Sequence, residues 1–239
     1  VGLSIDIIRK LENRDRINQI VEFLHSLIVD QGLAPGTELP SEKELAQRLG
    51  VSRFSLREAL RIAETQGLIK ISQGKRPTVA SPSSHTVSNI LRIALKRSTK
   101  NLLDLAIARA GLECKIVRIA AEKISPQDLA ALEENLKLME IPNRKLDYYV
   151  QKDVEFHEII LRSTGSMVFE IMLSSVTPLL YESRAQTLAT GGVERALQLH
   201  REIYQALKDH DPDRAEEKME RHMQNAVEDI LASRLPEEG

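Results

Sequence analysis

Aromatic residues make up only 3% of this 239-residue chain, and tryptophan is absent. So few flat side chains exclude a base-stacking platform for single-stranded nucleic acid, which needs successive aromatics. Cysteine occurs once, at Cys114, which excludes an intrachain disulfide or a Cys-rich zinc module and suits a reducing compartment. No apolar run approaches the roughly 20 residues of a membrane-spanning helix. The opening stretch, VGLSIDIIRKLENRDR, has neither the hydrophobic region nor the cleavage site of a signal peptide. Neither sign of charge dominates, with 33 Lys+Arg against 35 Asp+Glu and a net charge of −2. A hydrophobic fraction of 42% and a charged fraction of 28% are ordinary for a folded globular protein. The expectation is a soluble, cytoplasmic protein with no membrane association, built as one large domain or two modest ones.

The near-neutral total conceals an asymmetry. Residues 1–80 carry 12 basic and 10 acidic side chains, and the remainder carries 21 and 25. Any DNA contact therefore belongs to the first third, although so small a bias identifies no partner alone. Ser81-Pro82-Ser83-Ser84-His85 reads as a linker, separating a domain at 1–80 from one at 86–239.

Within the first domain, Ile17, Ile20, Val21, Leu24, Leu27 and Ile28 recur at helical spacing, and Gly32 with Pro35-Gly36 ends that helix. Ser41 and Glu44 have capping-box spacing, which opens a short helix with Leu45, Ala46 and Leu49 inward. Gly50 ends it. Ser52 then caps a second helix, about 53–66, whose buried face is Leu56, Ala59, Leu60 and Ala63. Two short helices across a tight Gly-containing turn read as helix-turn-helix. Arg53, Arg57 and Arg61 form a stripe at i, i+4 and i+8. Such a stripe is usually solvated surface. Its place in the second helix of this motif, ahead of a hairpin, favours DNA instead. That hairpin runs from Leu68–Ile71 through a tip at Gln73, Gly74 and Lys75 to Arg76–Ala80, a small basic wing suited to phosphate or minor-groove contact.

From residue 86 the pattern is helical almost throughout. Helices are expected near 86–97, 101–124, 126–140, 144–163, 167–189, 193–209 and 212–234, folded as an antiparallel all-α bundle. Pro142, Gly165, Pro178 and Gly191-Gly192 mark stops or bends. Asp153 and His157 lie at i, i+4 and share a helix face. His200 and His222 each lie 11 residues from Asp211, so a helical hairpin turning at Asp211-Pro212 brings them level. One carboxylate and three imidazoles suit a divalent ion, zinc first, with nickel or manganese as alternatives. The ordinary alternative is a set of unrelated hydrogen-bonded histidines, which is the reading kept for His25, His85 and His210.

The run LPSEKELAQRLGVSRFSLREALRIAETQGLI resembles the winged helix-turn-helix of the GntR family of bacterial transcription regulators, and ISQGKRPTVA is similar to the wing of its FadR subfamily. In this wing Pro77 and Thr78 depart from the commoner G-x-G-x-x-V pattern. The resemblance implies DNA contacts at Lys43, Ser52, Arg53, Ser55, Arg57, Gln73, Gly74 and Lys75. Further on, Arg109-Ala110-Gly111-Leu112-Glu113, then DVEFH at 153–157, then His200 and His222 are similar to the FCD effector domain of that subfamily. This implies a metal site at Asp153, His157, His200 and His222, and Arg109 meeting the carboxylate of a small organic or sugar acid. The intact donor set argues against the metal-free, acyl-CoA-binding mode known in the subfamily. Ala108 and Ser166 depart from the family's usual residues beside the pocket and after Thr164-Gly165. Asn225, one turn beyond His222, is a further candidate to hydrogen-bond the effector.

The expectation is thus a mainly α, metal-binding regulator, expected to repress, that binds an inverted-repeat operator in double-stranded DNA as a homodimer. One alternative keeps the DNA-binding protein but makes the metal purely structural, with no effector. Another is a metal-dependent hydrolase. Against the hydrolase, the sequence has no H-E-x-x-H, and Val154, Leu197 and Met219 stand where paired E-x-x-H motifs would need glutamates.

Overall fold

The structure, a computed structural model, describes residues 2–81, 83–95 and 101–232. The chain divides into two compact units, the first ending at Thr86 and the second beginning at Val87. Among the described residues no helix is long and apolar enough to cross a membrane.

The first unit contains α1 (Gly2–Val29), α2 (Glu42–Leu49), α3 (Arg53–Thr65) and a hairpin of β1 (Ile69–Lys70) and β2 (Thr78–Val79). The capping box is present as read: Ser41 Oγ accepts from the Glu44 N–H, and Glu44 Oε2 accepts from the Ser41 N–H at 2.8 Å. Gly50, at φ 63°, supplies the left-handed residue that lets α2 stop and α3 start within two residues, a conformation that costs a side-chain-bearing residue about 1 kcal/mol. Ser52 caps α3 through the Ser55 N–H at 3.0 Å. The amphipathic faces meet as their spacing requires, with Leu24, Leu56, Ala59, Leu60 and Ala63 fully buried beside Leu39 and Leu45.

The hairpin pairs Ile69 with Val79 and Lys70 with Thr78 in antiparallel register, shorter than the run expected from alternation. The incoming segment also joins it. Leu39 N donates to Pro77 O, Gly36 N donates to Val79 O, and Glu38 bridges Thr78. The wing is thus anchored on a third extended segment that the sequence pattern does not signal.

The second unit comprises α4 (Ser84–Leu95), α5 (Asn101–Lys123), α6 (Pro126–Met139), α7 (Leu146–Ser163), α8 (Met167–Val176), α9 (Tyr181–Gly191), α10 (Val193–Lys208) and α11 (Pro212–Ala232). Two expectations need correction. The linker expected at 81–85 is cut short because α4 starts at Ser84. The single helix expected over 167–189 is two helices joined by a 3-10 turn at Thr177–Leu180. Pro178 is the cause: it has no N–H for the α-helical ladder, and its ring crowds the preceding turn. The Thr177 hydroxyl donates to Leu173 O at 3.0 Å there. The ends expected at 96–97 and 233–234 lie outside the described residues. Helix α5 packs on α7, α10 and α11, and α7 also meets α6 and α9. Ile116, Val117, Leu132, Phe156, Ile160, Ile203, Ala206 and Met219 fill the space between them.

Candidate nucleic-acid interface and metal centre

Burial of one face of α3 leaves the opposite face outward. Arg53, Arg57 and Arg61 are all exposed, as are Lys43 on α2 and Ser52 at the cap. In the isolated chain Arg57 Nε donates to Glu42 Oε2 and Arg61 Nη1 to Glu58 Oε1, both at 2.9 Å. Exposed pairs of this kind are worth about 0–1 kcal/mol, so phosphates can displace the carboxylates at small cost. At the wing, Gln73, Gly74 and Lys75 are exposed on a turn closed by Lys75 N donating to Ser72 O, with Gly74 at φ 70°. Ser55 is placed otherwise. It is buried, and its hydroxyl lies 2.9 Å from Ser52 Oγ, within the cap rather than on the outer face. A residue not singled out by the sequence is Phe54, 66% exposed at the first turn of α3. Its position between Arg53 and the buried Ser55 and Leu56 was the available signal.

In the second unit, Asp153 and His157 on α7, His200 on α10 and His222 on α11 converge, with one donor atom from each lying within 4.8 Å of every other. All four side chains are buried. His157 Nε2 lies 3.2 Å from His222 Nε2, His200 Nε2 lies 3.3 Å from His222 Nε2, and Asp153 Oδ1 lies 3.4 Å from His200 Nε2. A tetrahedral ion bonded at about 2.0–2.1 Å holds its donors about 3.3 Å apart, so these spacings fit a divalent cation of zinc size. The hairpin reading is also met, since Asp211 Oδ1 accepts from the Arg214 N–H at the start of α11. His210, at φ 51° in that turn, has Nδ1 2.8 Å from Ala121 O, while His25 and His85 are exposed.

Neighbouring groups hold the donors in place. Phe156 stacks on the His200 ring at 4.0 Å with an interplanar angle of 7°. His157 Nδ1 faces Glu113 Oε2 at 3.1 Å, leaving Nε2 for the cluster, the usual outer-shell arrangement around a metal-ligating histidine. Glu113 is fully buried and accepts from Arg109 Nε at 3.0 Å. Burial works against its ionisation, yet His157 and Arg109 hold its pKa at about 2. Arg184 Nη1 donates to Asp153 Oδ2, and this cation with the nearby histidines outweighs burial to keep Asp153 well below the usual carboxylate range. Burial pushes His157 down to about 4 and His222 well below its ordinary value, so both imidazoles are neutral, ligand-ready bases at neutral pH. Glu113 was legible as the end of R-x-x-L-E. Arg184, 31 residues from Asp153, carried no local signal.

A cavity of about 30 Å³ adjoins the cluster through Asp153, and Arg109, Ser183, Arg184, Thr187, Met223 and Ala226 are among its walls. Arg109 lines this cavity from α5. Asn225 is not among the lining residues; Met223 and Ala226 face the cavity from α11 instead, because the i+1 and i+4 positions, not i+3, follow His222 onto that side.

The histidine shifts set a pH dependence. The unfolded imidazole titrates near 6.5 and folded His157 near 4, so between these values the unfolded chain binds more protons. The stability of metal-stripped protein is expected to be full above about pH 6.5 and to fall by a few kcal/mol toward pH 4. Urea denaturation across that range checks it, and a flat profile would show the imidazoles to be solvated.

A winged helix-turn-helix unit with a cationic outward helix, joined to a helical unit with a buried Asp/His cluster that could hold a metal ion, defines a DNA-binding regulator class. Residues 16–79 match the model of the bacterial regulatory proteins of the gntR family, and residues 104–225 match the FCD domain. The chain belongs to the GntR family and carries an FCD domain. It is similar to the HTH-type transcriptional repressor NanR of Edwardsiella tarda (strain FL6-60), 29% identical over 220 residues covering 88% of this chain and 84% of the relative. The NanR of Enterobacter sp. (strain 638) is 28% identical over 224 residues, covering 90% and 85%. Among solved structures, a Streptococcus agalactiae GntR protein is 25% identical with a TM-score of 0.68, covering 89% of this chain and 99% of that one.

Proposed function

We propose that this chain is a cytoplasmic transcriptional repressor that binds an inverted-repeat operator as a homodimer and whose FCD domain couples a divalent ion and a small organic or sugar acid to DNA affinity. The observation that carries the reading is the convergence of four buried donors beside a cavity that also exposes Arg109. The repressor sense is supported by the NanR relatives, which are transcriptional repressors. Asp153, His157, His200 and His222 would hold the ion, with zinc favoured by the imidazole-rich set and nickel or manganese as alternatives. When bound, such an ion supplies a Lewis-acid anchor for a carboxylate oxygen. Arg109 orients the acid through its guanidinium fork, while Lys43, Ser52, Arg53, Arg57, Gln73, Gly74 and Lys75 meet the duplex. Ser55 acts there through the cap it completes.

A purely structural metal is the second reading, favoured by the small cavity and by Arg109 and Arg184 already being held by Glu113 and Asp153. Hydrolysis is disfavoured because Glu113, the carboxylate against His157, is tied to Arg109 and turned to Nδ1, so it is not free to activate water. Thermal denaturation with a panel of small hydroxy and sugar acids, with and without metal, separates sensor from structural site. A sensor is expected to gain Tm that follows ligand saturation, about 2.7 kcal/mol at 100 times Kd. No acid shifting Tm in either state would leave the structural reading.

A further inference from the structure

Asp153 serves two masters. Its Oδ2 accepts from Arg184 Nη1, while Oδ1 turns to His200 Nε2 at 3.4 Å, on the side of the donor cluster. Arg184 is only 5% exposed and is fixed on α9, just beyond the Pro178 break. It shares the cavity with Arg109, 6% exposed, on α5. Among the described residues, Arg184 Nε and Arg109 Nη2 are buried without a hydrogen-bond partner. Two guanidiniums that line one small cavity thus each keep a buried N–H unsatisfied, and an unmade hydrogen bond is expensive there.

The charges sharpen the point. Among the arginines and carboxylates of the site, Arg109 and Arg184 balance Glu113 and Asp153. A divalent ion on the cluster adds two positive charges to the same buried volume, and uncompensated buried charge is costly. A carboxylate would accept from both orphaned N–H groups and restore part of the balance. About 30 Å³ is room for roughly two water-sized groups, the scale of a carboxylate's two oxygens.

Resting on the reading of Asp153, His157, His200 and His222 as a cation site, we propose that Arg184 is an internal counter-cation that opposes the metal at Asp153. A small carboxylate seated on Arg109 and Arg184 relieves that opposition. Anion and cation then bind with positive coupling, and by linkage each tightens the other by the same factor. Arg184 is here a second anion anchor and the counter-charge on Asp153.

The test is a Co²⁺ titration of the EDTA-stripped full-length chain, followed by visible absorption, with and without acetate at matched ionic strength and corrected for Co²⁺–acetate complexation. In the wild type, acetate is expected to tighten Co²⁺ binding about tenfold, the scale of removing one partly screened like charge. Arg184→Met is expected to bind Co²⁺ about tenfold more tightly without acetate and to gain less from it than the wild type, because Arg109 keeps only part of the anion site. Arg184→Lys keeps the charge and loses the fork, so its Co²⁺ affinity stays at the wild-type level and its response to acetate shrinks. If Arg184→Met does not fold, as read by circular dichroism, the Lys variant decides. Arg184→Met binding no tighter than the wild type, Arg184→Lys binding as tightly as Met, or a full acetate response in either variant overturns the proposal. A wild-type chain that takes up no Co²⁺ overturns the cation site and this inference with it, whereas Co²⁺ uptake indifferent to Arg184 overturns the inference alone.

Discussion

Protein carrying His200→Ala together with His222→Ala is expected to purify with essentially no stoichiometric divalent ion, against about one per chain in the parent. These two imidazoles meet at 3.3 Å and supply half of the four donors. Their loss leaves Asp153 and His157, an i, i+4 pair on one helix, too few to enclose an ion. The loss in affinity should exceed the roughly 10- to 100-fold typical of removing an outer-shell partner. Glu113→Gln supplies that milder comparison: it keeps the shape but removes the charge facing His157 Nδ1, and should cost about 10- to 100-fold. The parts of α10 and α11 around the site retain Ile203, Ala206, Leu207, Ala215 and Met219 in their core, so circular dichroism should still report a helical bundle. Elemental analysis of both variants is the check. Full metal content in the double variant would mean that the ion sits elsewhere.

The second large effect belongs to α3. Arg53→Ala combined with Arg57→Ala is expected to weaken operator binding about 10- to 100-fold and to reduce the slope of log K against log salt by about 2, one unit for each phosphate contact removed. Neither substitution touches the buried Leu56–Ala59–Leu60 face, so thermal stability should change by less than about 0.5 kcal/mol. Glu42→Gln gives the opposite sign. It releases Arg57 from its 2.9 Å pair and should strengthen DNA binding slightly, most visibly at low salt. Fluorescence anisotropy across a salt series measures all three. An unchanged slope in the double variant would return the stripe to solvated surface.

Two features of the site were legible because they depend on counting along one or two helices. The i, i+4 spacing of Asp153 and His157 needs only a helix. The equal separation of His200 and His222 from Asp211 needs only that the chain turn there, and a capping Asp before Pro212 makes it do so. The helix-turn-helix was legible for the same reason: Ser41, Glu44, Gly50 and Ser52 act on backbone groups within four residues of themselves. That Arg109 lines a cavity lies beyond such counting, because geometry within one helix assigns no residue to a cavity.

The remainder was not legible. Asn225 shares a helix with His222, but which of its neighbours faces the cavity depends on how α11 is rotated against α5 and α9. Ser55 looked like a contact by position, and only the packing of α3 turned it into the cap. The pairing of Glu38 with Thr78 joins segments 40 residues apart with no shared periodicity.

The sequence by itself determined most elements of both units, the caps at Ser41 and Ser52, the buried stripe of α3 and the pairing of histidines across one hairpin, because each follows from short-range backbone geometry and amphipathic spacing. Only the tertiary structure decided that Arg184 would grip Asp153, that Glu113 would face His157, and that two arginines would share one small cavity. Those contacts join α5, α7 and α9, and their formation depends on the rotation and depth at which long helices pack. Packing is set by the whole core at once, and no local run of residues encodes it.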